Sequence, residues 1–273
     1  FFKHLIYVLI GISLIFIFSS LNSDQLYKYS IILFFISLIS LFLVPFIGVE
    51  VKGSKRWIDL FFLPRFQPIE VLKPFLIIIL ATILCDIKSN ILFKYLISIF
   101  LISFISLLLI AQPDIGQTLL VIFCWAVLIF TSGINIYILL AIFIAGASLL
   151  TYLIIYVPRF DYIQGRIFSF FNRETGTHNF QSDKAIESIT SGGFFGKGIG
   201  EGVLKNRVPE AHTDYIISVI SEEFGVVAIM LILLLFLILI YMVFKKISFE
   251  TNDKVKLILI GSISLILMQA TIH

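Results

Sequence analysis

Long apolar segments separated by short polar connections dominate the pattern of this chain. They run over 5–21, 30–49, 96–111, 118–132, 135–157, 224–244 and 256–273, with a shorter segment over 72–85. Most approach the roughly 20 residues that cross a lipid bilayer as a helix. None alternates apolar and polar residues with a period of two, so helices are expected rather than strands. The pattern predicts eight membrane-spanning helices.

Composition agrees with this interpretation. The 273 residues are 59% hydrophobic and only 14% charged, whereas an ordinary soluble domain carries about 25% charged residues. A net charge of +3 is too small to indicate a nucleic-acid partner. Cys85 and Cys124 lie inside apolar segments and form neither a disulfide framework nor a zinc pattern. We therefore expect an all-α, polytopic transmembrane helical bundle.

Polar residues concentrate in two connections, Lys52–Lys73 and the long loop 157–223. Because successive spans alternate direction, both connections are expected on one side of the membrane, where they can border one site. Lys and Arg are divided almost evenly between the two sides, so the positive-inside rule does not orient the bundle. Cations retained on this face indicate an anionic lipid headgroup as their partner.

A glycine-rich run extends from Gly192 to Gly202 within the long loop. It has no Ser or Thr after its Gly-Lys pair and follows no strand, so it is not a Walker phosphate loop. Two interpretations stay open. The run is either a tight turn that needs positive φ at several glycines, or a pyrophosphate contact made by Lys197 and backbone amides.

The segment 208–225 is the most informative stretch of the chain. Helical spacing places on one face Asp214, Ser218, Ser221, Glu222 and Gly225. A polar stripe leading into an apolar helix indicates a water-filled cavity rather than lipid. A plain helix N-cap explains Asp214 equally well. His212 and Asp214 have no second His or Cys at ligand spacing, so no metal site is expected.

Charged residues also lie at the edges of the apolar segments. Asp114, between two spans, suits the N-cap of the following helix. Glu70 and Lys73 are three residues apart and can pair on one helix face. Arg56 beside Trp57 suits an anchor at the membrane interface. Each of these structural interpretations competes with a role in substrate binding.

A series of motifs, in order along nearly the whole chain, resembles the SEDS family of membrane glycosyltransferases, which includes FtsW, RodA and SpoVE. The motifs are Lys52-Gly-Ser-Lys-Arg-Trp-Ile-Asp59, Phe66-Gln-Pro-Ile-Glu70 with Lys73, Gln112-Pro-Asp-Ile-Gly116, Arg166-Ile-x-Ser-Phe170 with Gln181, Gly192 through Gly202, and Pro209-Glu-Ala-His-Thr-Asp214 through Glu222-Glu-x-Gly225. The first and last motifs look more like the FtsW branch than the RodA branch.

The resemblance implies a fold of ten transmembrane helices, of which this chain matches the second through the ninth. It implies one membrane domain over 1–273, truncated at both ends, with 157–223 as a large periplasmic loop that carries the catalytic motif. It also implies a multi-pass location in the bacterial cytoplasmic (inner) membrane at the division septum.

The activity implied is a peptidoglycan glycosyltransferase that polymerises lipid II, an undecaprenyl-pyrophosphate disaccharide-pentapeptide, into β-1,4-linked glycan strands during cell division. Asp214 matches the family's essential carboxylate and is expected to be the general base. The residues expected to contact substrate or line its site are Arg56, Trp57, Glu70, Lys73, Asp114, Arg166, Gln181, Lys197, Lys205, Arg207, Glu210 and His212. A divalent cation, Mg²⁺ or Mn²⁺, stays open because no ligand set demands it.

The expected partners are a class B penicillin-binding protein transpeptidase (FtsI-like), bound through a transmembrane helix, and other divisome membrane proteins, with no nucleic acid. Three alternatives stay open: a RodA-like elongation polymerase, a lipid II flippase and a non-catalytic divisome scaffold. An ion-coupled flippase predicts charges inside the spans, and 96–110 and 225–243 contain none.

Overall fold

A computed structural model describes residues 2–51, 54–59, 65–86, 90–157, 165, 180–202 and 216–272. Within these residues the chain forms helices and one antiparallel hairpin. The helices are α1 (Phe2–Ser19), α2 (Ser23–Ile47), α3 (Pro68–Asp86), α4 (Ile91–Ala111), α5 (Ile115–Thr131), α6 (Ile136–Tyr156), α7 (Phe180–Ser191), α8 (Ile216–Phe249) and α9 (Asp253–Ile272). The hairpin pairs β1 (Val49–Val51) with β2 (Ser54–Trp57).

All eight predicted spans coincide with helices, and α7 is the one further helix among the described residues. Six of the eight are long and apolar enough to cross a membrane, whereas α1 and α5 are shorter apolar helices. Large apolar side chains such as Phe16, Phe100 and Leu237 are exposed on the helix surfaces. Such surfaces suit contact with lipid, where helices satisfy their own backbone hydrogen bonds. The predicted multi-pass helical membrane fold is confirmed.

The chain divides into two compact units. The first comprises Phe1–Gly133 with Glu250–Ile266, and the second comprises Ile134–Phe249 with Leu267–His273. In the first unit α3 packs against α2, α4 and α5. Its buried face carries apolar residues at helical spacing, namely Ile69, Leu72, Leu76, Ile77 and Leu80. Burial on several sides makes α3 the core helix of this unit.

In the second unit α7 packs against α8. Helix α8 is broken at Gly225, whose φ of 73° and ψ of −172° are not helical. A residue with a Cβ rarely adopts this conformation. The apolar sequence alone predicts one continuous span here, so the break is a feature that periodicity did not indicate.

The hairpin is also absent from the sequence-based expectations. It pairs Glu50 with Lys55 and Val51 with Ser54, and an isolated bridge between Ile58 and Phe66 follows it. Strands of three and four residues are too short to give a period-two signal. The hairpin matters because β2 carries Arg56 and Trp57.

Close packing of α9 against α3 and α5 makes a prediction about Gly261. A Cβ at this position would lie 2.7 Å from Ile77 Cγ2 and 3.0 Å from Leu128 Cδ2. We expect Gly261→Ala to lower the free energy of unfolding in detergent by about 1–3 kcal/mol, because overpacking outweighs the gain in helix propensity. The matched control is Gly146→Ala in α6, where a Cβ meets nothing within 4 Å. It should be neutral or stabilise by up to about 1 kcal/mol, and equal effects of the two substitutions would contradict the packing.

Candidate active site

Arg56 on β2 reaches the connection between α4 and α5. Its Nε lies 3.7 Å from Asp114 Oδ2 and donates to Gln112 O at 3.3 Å, while its Nη2 donates to Pro113 O. Asp114 is the N-cap of α5 and accepts from Gln117 N. The predicted capping role of Asp114 is therefore confirmed, and the same carboxylate also forms an ion pair with Arg56.

Asp114 is 5% exposed, and its carboxylate accepts a further hydrogen bond from Gln67 Nε2 at 2.8 Å. Burial raises the pKa of Asp114 above its usual value, and the nearby Glu70 carboxylate adds a smaller increase. Arg56, the backbone N–H of Gln117 and the Gln67 amide act in the opposite direction. Burial is the largest of these effects on the pKa.

Glu70 and Lys73 form the predicted pair on α3, with Lys73 Nζ 2.7 Å from Glu70 Oε2. Gln117 on α5 bridges this pair. Its Nε2 donates to Glu70 Oε1 at 2.8 Å, and its Oε1 accepts from Lys73 Nζ at 3.1 Å. Lys73 is only 3% exposed. Its pairing with Glu70 offsets the cost of burying its charge.

Three motifs thus meet in the first unit, two of them close together in sequence and the third about forty residues further along the chain. They contribute Arg56 from β2, Glu70 and Lys73 from α3, and Asp114 from the start of α5. Trp57, also predicted, is partly exposed on β2, and its role in substrate binding stays a prediction.

Three amide side chains in this cluster were not predicted as site residues. Gln67 and Gln117 connect the charged groups, and Gln112 Nε2 donates to Leu41 O at 3.1 Å. All three lie within or directly beside the motifs. An uncharged amide gives no sign in the sequence of which distant group it will bond.

In the second unit, the glycine-rich run is a turn with positive φ at Gly193, Gly196, Gly198 and Gly200. The tight-turn interpretation is confirmed for these residues. The amides of residues 196, 197 and 198 donate to the carbonyl oxygens of Gly192, Glu222 and Glu223. These three N–H groups are therefore committed to protein partners rather than directed at an anion.

Lys197 Nζ lies 3.0 Å from Glu222 Oε1. The Lys197 side chain is 35% exposed, whereas that of Glu222 is fully buried. The sequence pattern predicts Glu222 on the polar stripe, but it gives no sign that Lys197 is its partner. Contact between Lys197 and substrate stays a prediction.

The polar stripe on α8 is confirmed for its described members, because Ser218, Ser221, Glu222 and Gly225 are all buried. Helix α7 covers these described residues, with Ser188 Oγ 3.2 Å from Ser218 O and Ser221 Oγ 3.3 Å from Ile189 O. The water-filled cavity stays a prediction, because Asp214, the first member of the stripe, lies outside the described residues.

Several predicted site residues lie outside the described residues, namely Arg166, Lys205, Arg207, Glu210, His212 and Asp214. For Gln181 the structure describes a backbone position in α7 and not the side chain. In the part of the chain that the structure describes, no group of three or more His, Cys, Asp or Glu side chains is arranged to hold a metal ion.

The family model of the FtsW/RodA/SpoVE cell cycle proteins matches residues 1–273. The chain belongs to this family. It is 35% identical over 208 residues to the probable peptidoglycan glycosyltransferase FtsW of Tolumonas auensis, which covers 73% of this chain and 52% of that protein. It is 33% identical over 248 residues to the protein of the same name from Haemophilus influenzae, covering 88% and 61%.

The fold of this family member also matches a solved structure. This structure is a chain of a peptidoglycan synthase complex, solved to describe the structural coordination of polymerization and crosslinking. It superposes on this chain with a TM-score of 0.80 at 25% identity. The match covers 99% of this chain and 76% of that one. The chain spans about half the length of the curated relatives it matches.

The Arg56–Asp114 pair makes a prediction about stability. Asp114→Asn keeps the shape of the side chain, but it removes the partner of Arg56 and one acceptor oxygen. We expect it to lower the free energy of unfolding by about 1–3 kcal/mol, because the partly buried donors Arg56 and Gln67 lose a charged acceptor at a buried position. The matched control is Asp59→Asn, since Asp59 pairs with Arg65 at 2.8 Å and both side chains are exposed. Its effect should stay below about 1 kcal/mol. Chemical denaturation in detergent measures both free energies of unfolding, and equal losses for the two variants would contradict the prediction.

Proposed function

We propose that the protein containing this chain is a peptidoglycan glycosyltransferase that polymerises lipid II into β-1,4-linked glycan strands during cell division. The observation that carries the proposal is the family match over 1–273, together with relatives named peptidoglycan glycosyltransferase FtsW. Because the chain spans about half the length of such relatives, the activity is assigned to the whole protein and not to this segment alone.

The proposed general base is Asp214. The acceptor sugar's 4-hydroxyl must lose a proton as its oxygen attacks the anomeric carbon of the donor. A fully solvated carboxylate is a weak base, so partial desolvation that raises its pKa would improve it. Direct displacement at the α-linked carbon inverts the configuration and gives the β-1,4 product, following the logic of one base and one leaving group. We assign Gln181, Glu210 and His212 to the surroundings of this base.

The departing pyrophosphate carries about two negative charges that cations must stabilise. We assign this role to Arg56, Arg166, Lys197, Lys205 and Arg207, of which the arginines suit bidentate contact. Arg56 supports the assignment because its guanidinium is already oriented by Asp114 and two carbonyl oxygens, yet its side chain is 30% exposed. A divalent cation, Mg²⁺ or Mn²⁺, stays open as an additional partner of the pyrophosphate.

The remaining predicted residues support the site in different ways. Lys73 and Asp114 are almost fully buried, so we assign them to holding Glu70 and Arg56 in place. Trp57 is partly exposed beside Arg56, which suits contact with a headgroup or a sugar face at the membrane surface.

We further propose a class B penicillin-binding protein transpeptidase as partner, along with other divisome membrane proteins, at the septum of the inner membrane. In this arrangement the loop 157–223 is periplasmic. The support is the similarity to a chain of a peptidoglycan synthase complex that coordinates polymerization with crosslinking. A role in elongation is the main alternative, because the fold is also similar to the rod shape determining protein RodA of Thermus thermophilus, with a TM-score of 0.66 and 26% identity.

The test is polymerisation of lipid II by the full-length protein, reconstituted with its cognate transpeptidase. Asp214→Asn should reduce glycan strand formation at least about 100-fold, because a general base contributes roughly 10²–10⁴-fold. The matched control is Asp183→Asn, an identical change at an exposed position of α7, which should leave the rate unchanged.

Normal strands from a folded, partner-binding Asp214→Asn protein would refute the base assignment. The absence of strands from the wild type as well would favour the flippase or the scaffold. Transport of lipid II across vesicles then separates those two, because a scaffold moves none.

Division and elongation can be separated in cells. The full-length gene should restore septa in a strain depleted of its division polymerase and should not restore rod shape in a strain depleted of its elongation polymerase. Microscopy of both strains gives the readout, and the reverse pattern would assign the protein to elongation.

A further inference from the structure

A cavity of about 640 Å³ lies within the first unit, between the ends of three helices. Its lining includes Leu84 and Cys85 near the end of α3, Thr131 at the end of α5, and Leu257 in the first turns of α9. The volume falls within the range of about 300–1,000 Å³ that is typical of small-molecule sites. The cavity is therefore large enough to hold a ligand.

The cavity lies at the opposite end of α3 from the charged cluster of the candidate active site. Glu70 and Lys73 are in the first turns of α3, whereas Leu84 and Cys85 are in its last turn. With 19 residues, α3 is about 28 Å long, close to the roughly 30 Å of a bilayer's hydrocarbon core. With the cluster at one membrane face, the cavity is at the level of the other face, where lipid headgroups lie.

The lining of the cavity is amphipathic. Leu84, Leu257 and Ile260 form an apolar wall, and Lys254 and Lys256 add two cations. A soluble anion gains nothing from an apolar wall. A phospholipid matches both parts, because its phosphate lies at the membrane surface directly beside its apolar chains.

Contacts within the first unit hold the two lysine ammonium groups in place. Lys254 Nζ lies 3.8 Å from the centre of the Tyr27 ring on α2, and Lys256 Nζ lies 3.0 Å from Asp253 Oδ1. The Asp253 side chain is 83% exposed, and such solvated pairs are weak. An ammonium group has three N–H donors, so Lys256 can bind a phosphate oxygen beside Asp253 or in its place.

The charge of the cavity favours an anion. Its described lining contains two lysines and one aspartate, which leaves a net charge of +1. Basic pockets between membrane helices suit anionic lipid headgroups.

We propose that this cavity binds an anionic phospholipid, with its phosphate at Lys254 and Lys256 and the first part of an acyl chain along the apolar wall. The site is separate from the candidate active site, and the proposal does not depend on the glycosyltransferase activity.

The test uses the full-length protein in detergent, with phosphatidylglycerol as the probe and native mass spectrometry over a lipid titration as the measurement. Lys254→Gln/Lys256→Gln should raise the Kd about 25-fold, because each lysine near an anionic lipid contributes about a fivefold factor. Both lysines are partly exposed, so the variant should fold.

The matched control is Lys245→Gln/Lys246→Gln near the end of α8. It removes the same charge from exposed positions that do not line the cavity. Its Kd should stay within about twofold of the wild-type value, because distant exposed charges are screened by salt. Equal Kd values for the wild type and Lys254→Gln/Lys256→Gln would overturn the proposal, and so would equal affinities of the wild type for phosphatidylglycerol and the zwitterionic phosphatidylcholine.

A second variant tests the apolar wall without changing the charge. Ile260→Trp fills part of the cavity, so it should weaken phosphatidylglycerol binding by about tenfold or more through steric exclusion. An excess of inorganic phosphate should leave the lipid bound to the wild type. Displacement of the lipid by inorganic phosphate, or unchanged lipid binding by Ile260→Trp, would overturn the lipid assignment, because the lysines would then bind any soluble anion.

Discussion

The structure depends on one constraint: a charged or polar group surrounded by apolar helices must find its partner within the protein. The polar cluster of the first unit and the glycine-rich run of the second unit satisfy this constraint in different ways. Arg56 and Lys73 each pair with an acid, and amide side chains fill the spaces between them. In the second unit the backbone of the glycine-rich run supplies the partners that the broken helix α8 lacks. Polar atoms from separate segments of the chain are therefore brought together, since each satisfies the hydrogen bonding or the charge of another.

This constraint explains why many motif residues do not face solvent. A charged residue in a loop is usually solvated, and that interpretation suits Asp59 and Arg65. Asp114, Lys73 and Glu222 differ because each is buried and paired. A buried, paired group fixes the orientation of its partner, and Arg56 and Lys197 are the partly exposed members of their pairs.

The sequence predicted the elements that depend on local pattern. Apolar length indicated all eight spans, residue spacing indicated the Glu70–Lys73 pair, and the position of Asp114 between two spans indicated its capping role. The local sequence pattern did not predict contacts between distant segments. Gln117 bonds groups on α3 that lie more than forty residues away, and nothing in its neighbourhood names them. The packing of α7 against the polar stripe of α8 was not predicted for the same reason, since the pattern of one helix does not show which other helix contacts it.

The cluster around Gln117 contains two cations, Arg56 and Lys73, and two acids, Glu70 and Asp114. With both acids ionised its net charge is zero, and Gln117 donates to one acid through its side-chain amide and to the other through its backbone N–H. A transmembrane voltage exerts force on net charge, so the net electric force on such a cluster as a whole is small. The arrangement can therefore keep its geometry while the membrane potential rises and falls.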